Sequence, residues 1–478
     1  MKNIFKIGVI SLGVLTAATS CSNDFVDREF QQSVIQSDLK TVQEVQSFVR
    51  GAYVSMRSST YYGRDFLAFG EIRSDEMLSN GGSGYYNTVR QYNMTSSDAY
   101  ARDTYNQIYT MVGKTNIVIN TDLTKLTGTA ADIAKAEYYQ GQAYALRAQG
   151  FFDLLRLYGQ KYTGGTLGVV TPTKYDPKAL QARSTIAETE AQIEADFNKA
   201  LQKMTAQAAN DTPSNKTELS INALKVLMSR FYLYKGDYAK VRSLTNELYG
   251  KYTVVARDLY QPSFDFTLRG AAPNSIFELE VGTDSSLSTS SYNQMLSVNG
   301  YRNIVVTDAT RLLYASNDIR ASLISRLSVS GVVSNYLSYS TRGKYLNRTG
   351  ADNIKLIRYE EVLLNGAEAE LNGGDPAKAL KYYKEILANR LGPITVGTTV
   401  TSVQQQLDAI TSVTLNMIKV ERRKELLGEG FRQWDQLRWG DTSFKPATVN
   451  INQLAFPIPR AETDITGTPV VSNPGYDN

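Results

Sequence analysis

Residues 354–390 read IKLIRYEEVLLNGAEAELNGGDPAKALKYYKEILANR. Apolar and small residues recur every three or four positions on both sides of Gly373-Gly374-Asp375-Pro376, which is the spacing of an amphipathic helix. The interruption is itself informative. Glycine can adopt the left-handed conformation that ends one helix, Asp375 can cap the next, and Pro376 suits its first turn. Ile354 to Arg390 is therefore predicted to be two helices folded into a hairpin. The same pattern runs from Ile221 to Tyr249 and breaks at Lys235-Gly236-Asp237-Tyr238, with Ile221, Leu224, Met228 and Phe231 on one face. Gly236-Asp237-Tyr238-Ala239-Lys240 and Gly374-Asp375-Pro376-Ala377-Lys378-Ala379 are nearly the same phrase. A further helix is expected over Glu137 to Tyr158, where Tyr139, Ala143, Leu146, Gly150, Leu154 and Leu157 form one stripe.

Each break resembles the turn of a tetratricopeptide hairpin, whose paired helices stack to share a core. The strict repeat of about 34 residues is absent, so the hairpins are repeat-like only. Between the helical blocks, residues 58–104 are rich in Ser, Gly, Asn and Tyr, and residues 262–350 mix short apolar runs such as Ile276 to Val281 with Ser-rich turns. Residues 391–414 are rich in Thr, Val and Gln. These stretches read as long loops with short strands, the usual place for binding residues.

The chain opens with Lys2 and Lys6, a 12-residue apolar run from Ile7 to Ala18, and small residues up to Cys21. That order is a secretory signal peptide over residues 1–20, and its apolar run falls short of the roughly 20 residues that cross a bilayer. Cys21, the only cysteine, stands where a lipobox places the thiol to be acylated. Two or more acyl chains hold a protein stably, so residues 21–478 are expected to be one body tethered at Cys21. Ser22-Asn23-Asp24-Phe25 resembles the signal that sends Bacteroidetes lipoproteins to the cell exterior.

Composition removes several functions. There is no histidine, so the commonest metal ligand and the commonest general base are missing, together with Ser-His and Cys-His nucleophile pairs. Removing Lys2 and Lys6 leaves a nearly balanced charge, which favours neither nucleic acid nor an anionic membrane as partner. Carboxylate chemistry and oxygen-ligated calcium survive. Glu421, Glu425 and Glu429 share one helical face at the spacing that lines carboxylates up, but Arg422, Arg423, Lys424 and Arg432 are interleaved with them. Cations depress carboxyl pKa values whereas a general acid needs a raised one, so an ion-paired network is the favoured reading. Trp434 and Trp439 are expected in the core, and Glu368 and Glu370 as partners of arginine or backbone groups. Ser37-Asp38-Leu39-Lys40 fits a Ser-x-x-Lys pattern at chance level only. Asp65, Glu71 and Asp75, near Glu76, lack EF-hand spacing and read as solvated loop charges rather than a calcium site.

Gly141-Gln142-Ala143-Tyr144-Ala145-Leu146-Arg147-Ala148 leading to Leu154-Leu155-Arg156-Leu157-Tyr158-Gly159, and Ile357 to Ala369, are similar to signature helices of the SusD/RagB family. So are Glu421-Arg422-Arg423-Lys424-Glu425-Leu426, Glu429-Gly430-Phe431-Arg432 and Asp435-Gln436-Leu437-Arg438-Trp439-Gly440, then Phe456-Pro457-Ile458-Pro459 and Asn473-Pro474-Gly475-Tyr476. The resemblance implies a mainly α fold, tetratricopeptide-like hairpins (mainly 45–57, 105–250 and 354–440) carrying a variable loop-rich, short-strand ligand face (mainly 58–104 and 262–350). It implies a lipid-anchored outer-membrane protein at the cell surface, a lid over the barrel of a SusC-like TonB-dependent transporter; no enzymatic activity, cofactor or metal is expected.

Sugar-binding proteins set aromatic rings against pyranose faces and use Asn, Asp, Gln and Arg for the hydroxyls. Tyr61, Tyr62, Arg64 and Asp65, then Tyr85, Tyr86 and Asn87, offer that mixture on the first loop region; Tyr292, Asn293, Tyr301, Arg302 and Tyr336 offer it on the second. An oligosaccharide is the expected ligand. An oligopeptide is the alternative, because no tryptophan lies outside the C-terminal motif.

Overall fold

The computed structural model describes residues 38–265, 268 and 270–476. The expected signal peptide, Cys21 and Ser37 lie outside them. The chain divides into Met1–Lys40, of which residues 38–40 are described, and the body Thr41–Asn478.

The body is mainly helical. Helices α1 (Val42–Met56), α2 (Asp65–Ile72), α3 (Ala99–Ile119), α4 (Ala130–Tyr158), α5 (Ile186–Ala206), α6 (Ile221–Lys235) and α7 (Tyr238–Leu248) fill its first half. Its second half carries α8 (Tyr359–Leu371), α9 (Pro376–Ala388), α10 (Leu415–Leu426) and α11 (Arg432–Arg438). The pairs α4/α5, α6/α7 and α8/α9 pack as antiparallel hairpins, with α5 against α6 and α7 against α8, so each pair covers an apolar face of the next. None of the described helices is long and apolar enough to cross a membrane.

The two matching turns close as their composition requires. Gly236 ends α6 at φ 74° and the Asp237 carboxylate accepts the Lys240 N–H. Gly373 follows α8 at φ 93°, and the Asp375 carboxylate accepts the Ala377 N–H at the start of α9. Within the stack, Leu146, Leu154, Phe152 and Phe231 are fully enclosed, each contributing about 1.5–3 kcal/mol of burial. Arg147 on α4 grips Asp196 on α5 with two bonds of 2.8 and 2.7 Å.

The sequence reading of Ile354 to Arg390 as helix throughout is corrected at its start. Ile354–Arg358 is a strand, here β8, that pairs antiparallel with β2 (Ser275–Leu279), Ile357 facing Phe277 and Ile354 facing Leu279. A short apolar run suits either a buried strand or a buried helix, and the tertiary partner decides. The other strands are few and short. β1 (Met77–Ser79), β3 (Ile304–Val306), β4 (Ser325–Val329) and β5 (Val332–Tyr336) form a sheet in the order β1-β3-β5-β4. Two small hairpins complete them, β6 (Ser338–Tyr339) with β7 (Arg342–Gly343) and β9 (Ile394–Val396) with β10 (Thr399–Thr401).

Candidate functional site

Pairing of β1 with β3 sets Ser79 opposite Ile304 and so lays the loop after β1 beside the loop before β3. The Asn80 N–H donates to the Asn303 carbonyl (2.8 Å) and its side-chain amide to the Arg302 carbonyl (2.6 Å). Asn303 returns bonds to the Ser83 hydroxyl (2.9 Å) and the Tyr85 carbonyl (3.2 Å). The rings of Tyr85 and Tyr301 meet at 4.9 Å, tilted by 54°. Partial burial and the adjacent Tyr301 hydroxyl raise the Tyr85 phenol above its ordinary value. The turn between β4 and β5 supplies the facing wall. The result is an open cleft of about 460 Å³ lined by Asn80, Ser83, Tyr301, Arg302, Ser334 and Tyr336 among others, within the size range of small-ligand sites.

Three non-glycine residues around this cleft hold left-handed backbone: Tyr86 (φ 60°), Arg302 (φ 56°) and Ser330 (φ 53°). Each costs about 1–2 kcal/mol, and such residues concentrate where a binding surface is shaped. Tyr86 is held by its N–H on the Tyr100 hydroxyl (3.0 Å) and by its own hydroxyl on Asp65 (2.7 Å).

The two tyrosine-rich regions thus meet, but through only part of the expected set. Tyr85, Asn87, Tyr301 and Arg302 keep accessible surface, and Tyr336 reaches the lining though only 3 % exposed. Tyr61, Tyr62, Arg64, Asp65, Tyr86, Tyr292 and Asn293 are instead buried, and their expected place on an open ligand face is corrected. Tyr61 and Tyr62 both donate their hydroxyls to Asp153 of α4, and burial pushes both phenols well above their ordinary pKa. Arg64 clamps Asp65 at 2.6 Å, and Asp65 in turn receives Tyr86. Asn293 donates to the Asn347 carbonyl and to Asp352. These residues are struts linking the loops to the helices. Tyrosine suits both tasks, since its ring can be enclosed while its hydroxyl finds a partner. The wall hydroxyls Ser330 and Ser334 escaped the sequence reading, although Ser330-Gly331 just before Val332-Val333 is a turn signal.

The candidate carboxylates are committed elsewhere. Glu421, Glu425 and Glu429 are buried in an ion network, but their cations are mainly Arg320, Lys344, Arg358 and Arg390, not the interleaved residues. Neighbours one or two positions along a helix point away from each other. Arg422 turns to Asp435, while Arg423 and Arg432 reach Asp75. Glu368 binds Arg438 and the Trp439 indole N–H, and Glu370 accepts the Asp375 N–H, as expected of structural partners. Trp434 is enclosed and stacks on Phe66.

Asp65, Glu71 and Glu76 are buried rather than solvated, and no group of three metal-ligating side chains occurs among the described residues. Glu71 accepts the Gly430 N–H at 2.6 Å and leaves its other oxygen without a partner. Burial lifts its pKa from 4.5 to about 7 against the pull of the Gly430 and Gly428 amides. A raised acid favours folding fully below its unfolded pKa, and that contribution disappears as pH rises through the folded value. Glu71→Gln is therefore expected to match the parent near pH 4.5 and to exceed it by up to about 3 kcal/mol at pH 8. Urea denaturation at the two pH values checks this; a constant difference would contradict it.

Comparison with known proteins agrees with this architecture. A sequence model described as "Starch-binding associating with outer membrane" matches residues 24–233, and the "SusD family" model matches residues 328–466. SusD-like protein P2 of Formosa agariphila is 23% identical over 511 aligned positions, covering 92% of this chain and 94% of its own. The crystal structure of a SusD superfamily protein from Bacteroides vulgatus superposes with TM-score 0.77 at 26% identity, over 92% of this chain and all of that one. Surface glycan-binding protein A from Bacteroides thetaiotaomicron, solved in complex with laminarihexaose, shares the fold at TM-score 0.67 and 16% identity, over 90% of this chain and 99% of that one. Family models matching residues 24–233 and 328–466, and relatives aligned along nearly the whole chain, mark this chain as SusD-like.

Proposed function

We propose that this chain is a cell-surface lipoprotein of the outer membrane that captures a glycan in the cleft lined by Tyr301 and passes it to a SusC-like TonB-dependent transporter. The observation that carries the reading is the cleft: the partly exposed Tyr301 ring lines it beside Asn80, Ser83, Ser334 and Arg302, and the Tyr85 ring packs 4.9 Å from Tyr301. Rings supply an apolar platform for a pyranose face, and the amide, hydroxyl and guanidinium groups suit its hydroxyls. The outer-membrane wording of the matching family model and the laminarihexaose bound by a protein of the same fold support it. Membrane attachment is assigned to acylated Cys21, and the committed state of the buried carboxylates argues for binding rather than catalysis.

Titration calorimetry of the purified protein against a panel of oligosaccharides tests the reading. Tyr301→Ala is expected to weaken binding about tenfold, or about 1.4 kcal/mol, without lowering thermal stability. An unchanged affinity would overturn the assignment of the cleft. One feature favours a second ligand class: β4 ends its sheet beside the cleft, and a free strand edge can accept an extended peptide. Saturable binding of oligopeptides with none of oligosaccharides would select that reading.

A further inference from the structure

The cleft is lined from residues 80–83, 300–302 and 329–336, and the stretches around them, 77–97, 285–307 and 327–351, contain no aspartate or glutamate, in a chain where nearly one residue in ten is acidic. The same segments carry Arg90, Arg302, Arg342, Lys344 and Arg348. Lys344 is buried against Glu429 and belongs to the interior. The four arginines are exposed and have no carboxylate within ion-pairing distance among the described residues. Arg302 lines the cleft, Arg90 lies beside Gly81 at its edge, and Arg348 donates to the Asn299 carbonyl (3.0 Å) one residue from the lining at Gly300.

Two of the neighbouring acids are paired with cations of their own: Asp308 with Arg326 and Arg311, and Asp75 with Arg423 and Arg432. The cleft lining therefore holds one cation, Arg302, with hydroxyls and an amide and no anion. Arg302 is also fixed in place, because its left-handed backbone is pinned by its N–H on the Ser297 carbonyl (3.2 Å) and by the Asn80 amide on its own carbonyl.

We propose that the cleft selects an acidic glycan, one carrying uronate or sulfate groups, with Arg302 as the residue that meets the anion. This rests on the glycan reading above and narrows it. A neutral sugar gains only ordinary hydroxyl hydrogen bonds from an unpaired guanidinium, whereas a carboxylate or sulfate forms stronger charge-assisted and bidentate bonds with it. The surrounding positive potential would also raise the capture rate of a charged chain.

The test is a glycan array holding neutral, uronate-containing and sulfated oligosaccharides, followed by calorimetry of the strongest binders with the parent, Arg302→Gln, Arg302→Lys and Tyr301→Ala proteins. Acidic saccharides are expected to dominate. Arg302→Gln should weaken them at least tenfold, Arg302→Lys should recover part of the loss, and raising salt from about 0.05 to about 0.5 M should weaken the parent more than the Gln variant. Thermal melts of the variants should coincide with the parent, since Arg302 is exposed. Neutral binders that lose affinity in Tyr301→Ala but not in Arg302→Gln would overturn the charge inference and leave the glycan reading standing. Binding of no saccharide, or of peptides alone, would overturn both.

Discussion

Glu425→Gln is expected to destabilise the protein by about 3–5 kcal/mol, the range found when one partner of a buried ion network is removed. Glu425 is fully enclosed, and its two oxygens serve three arginines from distant parts of the chain. Oε2 lies 2.9 Å from both Arg320 Nη1 and Arg390 Nε; Oε1 lies 3.0 Å from both Arg358 Nη1 and Arg390 Nη2. Arg358 closes β8, Arg390 follows α9, and Arg320 precedes β4, so this one carboxylate ties α10 to the strands and to the α8/α9 hairpin. The network extends through Arg358 to Glu360 and Glu429 and through Arg320 to Asp318. Gln keeps the shape and removes the charge, leaving three buried guanidinium groups under-compensated. The exposed pair Arg460–Asp464 is the control, and Asp464→Asn should cost less than about 1 kcal/mol.

The pH dependence of that difference follows from the same contacts. Burial acts to raise the Glu425 pKa, but the charges of Arg390, Arg358 and Arg320 outweigh it and hold the group far below the usual carboxylate range. A depressed acid stabilises the folded state above its unfolded pKa and loses that contribution as pH falls through the folded one. Urea denaturation should therefore show a gap between parent and Glu425→Gln that is constant from pH 8 to about pH 5 and closes only in strong acid. A gap already narrowing at pH 6 would mean the network is not the source.

How much of this was legible in the sequence depends on the range of the interaction. The turns at Gly236-Asp237 and Gly374-Asp375-Pro376 are local chemistry, and they form as their residues predict. Ile354–Arg358 is apolar enough for helix or strand, and only its pairing with Ser275–Leu279 decides. That Glu421, Glu425 and Glu429 are ion-paired could be anticipated from their basic neighbourhood, but the partners Arg320, Arg358 and Arg390 lie 35 to 105 residues away from Glu425 and carry no local signal. The cleft was half legible for the same reason. Composition marks both tyrosine-rich regions, while the bonds that pull Tyr61, Tyr62 and Tyr86 inward come from Asp153 and Asp65 and set which rings remain outside.

Gly70→Ala should unsettle scaffold and cleft together. Gly70 lies on α2, and a Cβ built there would overlap the Gly430 carbonyl group, 2.6 Å from its carbon and closer to its oxygen. Both sides of the contact are backbone, so no side chain can swing aside. Relief requires α2 to move away from the Gly428–Gly430 loop, which would also stretch the 2.6 Å bond from the Gly430 N–H to Glu71. A forced backbone shift of this kind costs about 3 kcal/mol. The consequence reaches the ligand face because α2 begins at Asp65, the carboxylate that anchors Tyr86, next in sequence to Tyr85. Gly70→Ala is thus expected to lower both stability in urea and affinity for the oligosaccharide, whereas Tyr301→Ala should lower affinity alone. Gly164 is the control, since it lies on an exposed turn with nothing within 4 Å of an added Cβ. Its φ of 81° limits the cost of Gly164→Ala to about 1–2 kcal/mol with affinity unchanged. If Gly70→Ala lost stability yet bound as the parent does, the strut through Asp65 and Tyr86 would not be what shapes the cleft.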